Sequence, residues 1–414
     1  MWRSGRVRIV CRIFASALTA LVVLGAWHGV SSARDTTWND AMRAAAKAFE
    51  KSQYHESEKW LQIALEEARK FGPQDRRLAE SHMKLGIVLH SQGKYDAAEA
   101  EYKRGIELLE RNFGGRHLLT VDGLTGLAWI YNTQGRYEEA EVLLSEALAI
   151  REKVLGAQHP DVANSLNDLG TFYNSRGKHS QAADNYRRAL VMLERVYGPW
   201  HLNVAVALTN LGILYTASGE AQEAERLLKR ALLIRQAALG TKHADVAASL
   251  SNLGAFYSAR GNHGEAEQLL KEALAVQEKV WGPDKLEVAV TLDHLAALYR
   301  AQKKPAEAEP LLERTLGIWE RVFGTDHPRL AGTLGQLAGV YEEQGKYREA
   351  EPLLKRVLEI REKAMTKGPE LASSLERYAA LLRKIDRGSD ATELETRAEA
   401  ERLGRPAAEA TSVR

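Results

Sequence analysis

The 414-residue sequence predicts an all-α protein, a right-handed α-solenoid built from stacked helix pairs. Three observations predict it. A short pattern returns every 42 residues, each period carries two apolar runs at helical spacing, and a glycine closes each run.

The pattern is G-(K/R)-Y-x-x-A-E. It stands at QGKYDAAEAEY from Gln92, QGRYEEAEVLL from Gln134, RGKHSQAADNY from Arg176, SGEAQEAERLL from Ser218, RGNHGEAEQLL from Arg260, KKPAEAEPLL from Lys303 and QGKYREAEPLL from Gln344. The turn glycines are Gly93, Gly135, Gly177, Gly219, Gly261 and Gly345, with Lys303 in the one slot lacking glycine. Each unit reads as two helices. In DVANSLNDLGTFYNS (161 to 175), Val162, Leu166, Leu169 and Tyr173 share one stripe. In the helix that follows, Ala182, Tyr186, Ala189, Leu190 and Leu193 share another, and a glycine ends it. Eight such pairs begin near residues 38, 76, 118, 160, 202, 244, 286 and 328. A degenerate ninth, 370 to 402, slips by one residue and ends in the charged helix ATELETRAEAERL, as a polar cap on a solenoid should.

The ends are different in kind. Arg3, Arg6, Arg8 and Arg12 precede the apolar run IFASALTALVVLGAW and the small-residue exit Ser31-Ser32-Ala33, which reads as a secretory signal over residues 1–33, cleaved after Ala33. An uncleaved membrane anchor is the alternative, and the run is short for it. The expected location is therefore outside the cytoplasm, periplasmic or secreted in a bacterium. Residues 34–402 form the repeat array, and the tail 403–414, without periodicity, is expected to be disordered.

Composition narrows the chemistry. The single cysteine, Cys11, lies in the leader, so a mature chain offers neither disulfides nor a catalytic thiol. Of 57 Lys+Arg, four are the leader's arginines; the remaining 53 face 55 Asp+Glu, so the formal charge of +2 becomes −2. Nucleic acid is not an expected partner. Neither H-E-x-x-H, G-x-S-x-G nor a Walker sequence occurs, so no enzyme activity, cofactor or metal is expected. His117, His159, His201, His243 and His327 recur at multiples of 42 and read as linker residues beside helix starts rather than convergent metal ligands.

The pattern L-G-x-x-Y…G-x-Y-x-x-A…A resembles the tetratricopeptide repeat. The period and the linker form seen in LGAQHPDVANSLNDLG and FGTDHPRLAGTLGQLA resemble the kinesin light chain branch of that family. The resemblance covers roughly residues 38 to 402. It implies that the first helix of each pair lines a concave groove, on the face opposite its Leu/Tyr stripe, and that the protein is a non-catalytic scaffold binding another protein or an extended peptide. A self-associating envelope assembly protein, acting through its convex face or ends, is the alternative.

The groove face follows from helix geometry. Setting Gly332 at zero, Gly335, Gln336 and Gly339 fall near about 300°, 40° and 340°, whereas Leu334, Leu337 and Tyr341 fall near about 200°, 140° and 180°. The glycines of GTLGQLAG thus belong to a helix and not to a phosphate loop. They are expected to leave a bare floor for a partner's backbone, although three helix-interior glycines forgo about 3 kcal/mol. Transferring the register gives Met83, Lys84, Trp129, Asn167, Asp168, Asn210 and Ile213 toward the N-terminal half, then Asn252 and His294. Asparagine amides both donate and accept, which suits backbone N–H and C=O of any sequence. Asn210 and Asn252 match the groove asparagine of the family's peptide binders, which the resemblance implies contacts ligand. A clamp for a terminal carboxylate is not expected, because only Lys84 and the outlying Arg377 supply charge at suitable positions.

Overall fold

The computed structural model describes residues 33–114, 117–364 and 369–403. The leader up to residue 32 and the tail from residue 404 lie outside the described residues. Nine helix pairs follow one another, and no strand occurs among the described residues. They are α1 (Ala33–Glu50) with α2 (Tyr54–Arg69), α3 (Arg76–Ser91) with α4 (Tyr95–Phe113), α5 (Val121–Gln134) with α6 (Tyr137–Leu155), and α7 (Pro160–Ser175) with α8 (His179–Tyr197). Then come α9 (Leu202–Ser218) with α10 (Ala221–Leu239), α11 (Ala244–Ala259) with α12 (His263–Trp281), and α13 (Leu286–Ala301) with α14 (Pro305–Phe323). The last two pairs are α15 (Leu330–Glu343) with α16 (Tyr347–Lys363) and α17 (Pro369–Lys384) with α18 (Gly388–Leu403). The helices group into two compact units divided after Ile234, within α10, and each is a run of pairs in the same register.

Why these residues pair can be seen in α7 and α8. Val162, Leu166, Ala182, Tyr186, Ala189 and Leu193 are at most 3% exposed, so the two stripes read from the sequence meet. The glycine of L-G-x-x-Y lets them meet closely. A Cβ on Gly170 would lie 2.7 Å from the Tyr186 ring, and one on Gly86 would lie 3.1 Å from Tyr102. A helix-interior glycine, unfavourable by propensity, is offset here by burying a whole tyrosine ring.

The terminations are equally systematic. Second helices end on Gly114, Gly156, Gly198, Gly282 and Gly324, at φ between 81° and 89° and ψ between 148° and 173°, a region essentially confined to glycine. The recurring histidines stand at the starts of five first helices. Nδ1 of His117, His159, His201, His243 and His327 accepts the backbone N–H two residues on, at 3.1 to 3.2 Å. His201 also stacks on Tyr197 and His327 on Phe323, each with 4.4 Å between ring centroids. These are local contacts at five helix starts, in keeping with the reading of the histidines as linker residues.

The remaining motif letters join one repeat to the next. Glu58 pairs with Lys94 at 2.9 Å, Glu99 with Arg136 at 3.2 Å, Glu141 with Lys178 at 3.4 Å, and Glu309 with Lys346 at 2.9 Å. The tyrosine of L-G-x-x-Y donates to the same glutamates, Tyr173 to Glu141 at 2.8 Å and Tyr131 to Glu99 at 3.3 Å. Burial and the Glu141 carboxylate together push Tyr173 up to about 12. The K/R of each turn and the E of the preceding repeat are thus two halves of one contact.

The ninth pair buries Leu371, Leu375, Tyr378 and Leu382 in one core with Leu354 and Leu358 of α16. Its turn uses Asp386 at φ 63° in place of glycine. Arg383–Glu395 and Arg402–Glu376, both at 2.6 Å, hold the partly exposed charge of its last two helices.

Candidate peptide-binding groove

Successive first helices lie side by side with an offset of one repeat plus one residue. Trp38 Nε1 donates to Ser81 Oγ at 3.0 Å, Ser251 Oγ is hydrogen-bonded to His294 Nδ1 at 3.0 Å, and Arg300 Nη2 reaches Glu343 Oε1 at 2.5 Å. Each bond spans 43 residues. This packing decides how much of the inner face meets solvent.

In the first unit it meets very little. Met83, Lys84, Trp129, Asn167, Asp168 and Asn210 are between 4% and 8% exposed. The sequence places them on a groove face; the structure makes them a sunken floor, because neighbouring first helices cover what an isolated helical wheel leaves open. Asn164 and Val206, four positions earlier in their columns than Asp168 and Asn210, are the exposed edges, and Ile213 is half-buried. Met83 is no open anchor. A Cβ on Gly105 would lie 2.8 Å from its sulfur and one on Gly123 2.3 Å from its methyl, so the side chain is threaded into a slot that two glycines leave between α4 and α5.

A charged group runs along this floor. Arg151 Nη1 donates to Ser165 Oγ at 2.7 Å, and Nη2 lies 3.5 Å from Asp122. Burial pushes Asp168 up to about 7; Arg151 opposes the rise and Asp122 adds to it. Burial lowers Lys84, against the attraction of Asp122 and Glu80. Burial raises Glu80 in turn, with Lys84 and Arg76 opposing.

Two polar atoms of the floor have no hydrogen-bond partner among the described residues although both are withdrawn from water: the indole N–H of Trp129 and the side-chain oxygen of Asn167. One is a donor and the other an acceptor. Thr171 Oγ1 donates to the Asn167 carbonyl at 2.8 Å and lies 2.9 Å from the Tyr186 hydroxyl.

The inner face of the second unit is more open. Asn252, His294 and Gln336 are half-buried. His294 belongs to a polar chain in which Ser251 Oγ lies 3.1 Å from Thr291 Oγ1, itself 2.7 Å from Gln277 Oε1. Beside it, Asp293 Oδ1 is buried with no partner among the described residues, and burial pushes that carboxyl up to about 7 against the pull of Arg329. The bare floor expected at GTLGQLAG is found only at Gly332, where a Cβ would meet nothing within 4 Å. Gly335 and Gly339 are covered by guanidinium groups, with Arg377 Nη1 at 3.3 Å from the first Cβ position and Arg377 Nη2 and Arg300 Nη2 at 2.9 and 3.0 Å from the second.

The sequence reading singled out neither Arg300 nor Lys384 as part of this face. Among the described residues, no group of three or more His, Cys, Asp or Glu side chains is arranged to hold a metal ion, and no helix is long and apolar enough to cross a membrane.

The tetratricopeptide repeat profile matches residues 36–111, 78–153, 123–195, 163–232, 203–279, 287–363 and 333–400. No curated protein matches the chain. Among solved structures, a putative kinesin light chain from Podospora anserina with nearly identical repeats is 27% identical over 49% of this chain and 95% of that one, with a TM-score of 0.40. BtubC from P. vanneervenii is 24% identical over 61% of this chain and 93% of that one, with a TM-score of 0.44. A Rap protein solved with Competence and Sporulation Factor is 15% identical over 87% of this chain and 96% of that one, with a TM-score of 0.57, a likeness of fold. With the profile repeating in register from residue 36 to residue 400 over helix pairs of the matching kind, the chain belongs to the tetratricopeptide repeat family.

Proposed function

We propose that this chain is a non-catalytic scaffold that binds an extended peptide segment of a partner protein along the inner columns of its first helices. The observation that carries the reading is the pair of unsatisfied groups in the first unit, Trp129 Nε1 and Asn167 Oδ1. A buried polar group without a partner costs about 1 to 3 kcal/mol. A donor and an acceptor left unpaired on one floor suit the C=O and N–H of a peptide backbone, which would satisfy both without being read for sequence. Asn210, in the column of Asp168, and the half-buried Ile213, in the column of Trp129, continue this face into the next repeat.

The test is direct. Peptides selected from a phage-displayed random library on the full chain would be titrated against wild type, Asn167→Ala and Asn210→Ala, after melting curves show all three folded. Each replacement is expected to weaken binding by about 1 to 3 kcal/mol. Affinities equal to wild type for both would remove the inner columns as the binding face and favour self-association through the outer face or the ends.

On the strength of the leader pattern we propose export as well, with the mature chain starting near Arg34. Sequencing the N-terminus of the native protein checks it; an intact Met1 on a cytoplasmic protein overturns it, and a leader retained in the membrane fraction points to the anchor.

A further inference from the structure

In the second unit, α13, α15 and α17 line a shallow, open surface cavity of about 410 Å³ bordered by Arg300, Gly339, Glu342, Glu343, Arg377 and Lys384. We propose that this cavity receives an acidic side chain, aspartate or glutamate, of a peptide bound along the inner face. The proposal rests on the peptide-binding reading and gives it a charge preference.

Arg377 Nη2 and Arg300 Nη2 lie 2.9 and 3.0 Å from a single point, the place a Cβ of residue 339 would occupy, so two guanidinium groups are drawn together over a stretch of helix that has no side chain. Like charges do not gather there without compensation. Two carboxylates supply part of it. Glu343 takes Arg300 at 2.5 Å, and Glu342 takes Lys384 at 3.1 Å. Arg377 is left with Glu342 Oε1 at 3.5 Å, a carboxylate already shared with Lys384. Three cations therefore face two anions.

The Arg377 side chain is 41% exposed and Lys384 47%, so the unneutralised side of the cluster is open to a ligand. A planar carboxylate matches a guanidinium fork with two parallel hydrogen bonds, which a hydrated ion or a neutral amide does not reproduce. Gly339 acquires a role: any larger residue there would occupy the space where the two forks converge.

The probe is a fluorescein-labelled peptide, amidated at its C-terminus, with four glutamates in a glycine–serine sequence; its counterpart carries four glutamines. Binding to the full chain is read by fluorescence anisotropy at low salt. The glutamate peptide is expected to bind at least about fivefold more tightly than the glutamine one, and Arg377→Ala and Gly339→Leu are each expected to remove that preference. Arg377→Lys, which keeps the charge and loses the fork, should fall between. Gly339→Leu replaces glycine with a strong helix former, so its melting temperature should not fall, which separates loss of the site from loss of the fold. Equal binding of the two peptides, binding of neither, or a preference that survives Arg377→Ala overturns the proposal. Because the library peptides report on Asn167 and Asn210, they can fail or succeed independently of this charge preference.

Discussion

Lys303 occupies, at φ 59°, the turn position that Gly261 occupies at φ 79° one period earlier. Its backbone N–H still bonds the Arg300 carbonyl at 2.9 Å, so the turn is conserved in shape while the residue is wrong for it. A left-handed conformation costs an L-residue about 1 to 2 kcal/mol. Glycine returns about 0.5 to 1 of that through its larger unfolded-state entropy. Lys303→Gly is therefore expected to stabilise the chain by about 0.5 to 1 kcal/mol, measured by urea unfolding at neutral pH, whereas Gly261→Ala should destabilise it. A Lys303→Gly variant no more stable than wild type would mean that the lysine side chain makes up for the strain.

The histidine caps make a second prediction. His159 Nδ1 accepts the Asp161 N–H at 3.2 Å, and replacing such a cap by alanine costs about 1 kcal/mol. His159→Ala should lose that amount and His159→Asn should recover most of it. Lys285 stands in the same column and makes no side-chain cap bond to α13. Lys285→Asp should accordingly gain about 0.5 to 1 kcal/mol. At His201 the expectation differs, because asparagine restores the cap and not the stacking on Tyr197.

These features show what was legible in the sequence. Helices, turns and stripes recur in register, and each is decided within one period by local geometry, so the slot of Lys303 and the structural role of the five histidines could be read directly. The floor could not. A helical wheel says that Met83 lies off the packing stripe, but only the fold shows that Gly105 and Gly123, one on the next helix and one on the helix after it, open a slot that takes it up. Arg300 and Lys384 were passed over for a related reason. Arg300 reaches Glu343 through the 43-residue offset between first helices, which a 42-residue register does not reveal, and Lys384 reaches Glu342 on the neighbouring first helix, a pairing that only the packing shows.

Asp168 ties the floor to pH. Its carboxyl titrates near about 7 in the folded chain because burial disfavours the charge, and near about 4 once unfolded. Between those values the folded state binds the extra proton, so this residue's contribution to stability is present at low pH and is lost as pH rises through about 7. Asp168→Asn removes the charge and keeps the shape. It should stabilise the chain by about 1 to 3 kcal/mol at pH 8 and by a smaller part of that at pH 5. Thermal melts of both proteins at the two pH values check this; a difference independent of pH would show that Asp168 stays ionised, held by Arg151.

Trp129 separates stability from binding. Its ring is 4% exposed and its N–H has no partner among the described residues, so the free protein bears an unmet donor. Trp129→Phe removes that donor, relieving about 1 to 3 kcal/mol, and gives up ring volume whose loss from a core costs a similar amount. The two effects oppose each other, and the melting temperature is expected to stay close to that of wild type. Binding should not stay constant. If a peptide carbonyl accepts the indole N–H, the phenylalanine variant leaves that carbonyl desolvated and unpaired, and affinity for the library-selected peptides should fall about fivefold or more. A variant that melts well below wild type yet binds normally would place Trp129 in the packing of the floor alone, and would move the peptide to the exposed edge formed by Asn164 and Val206.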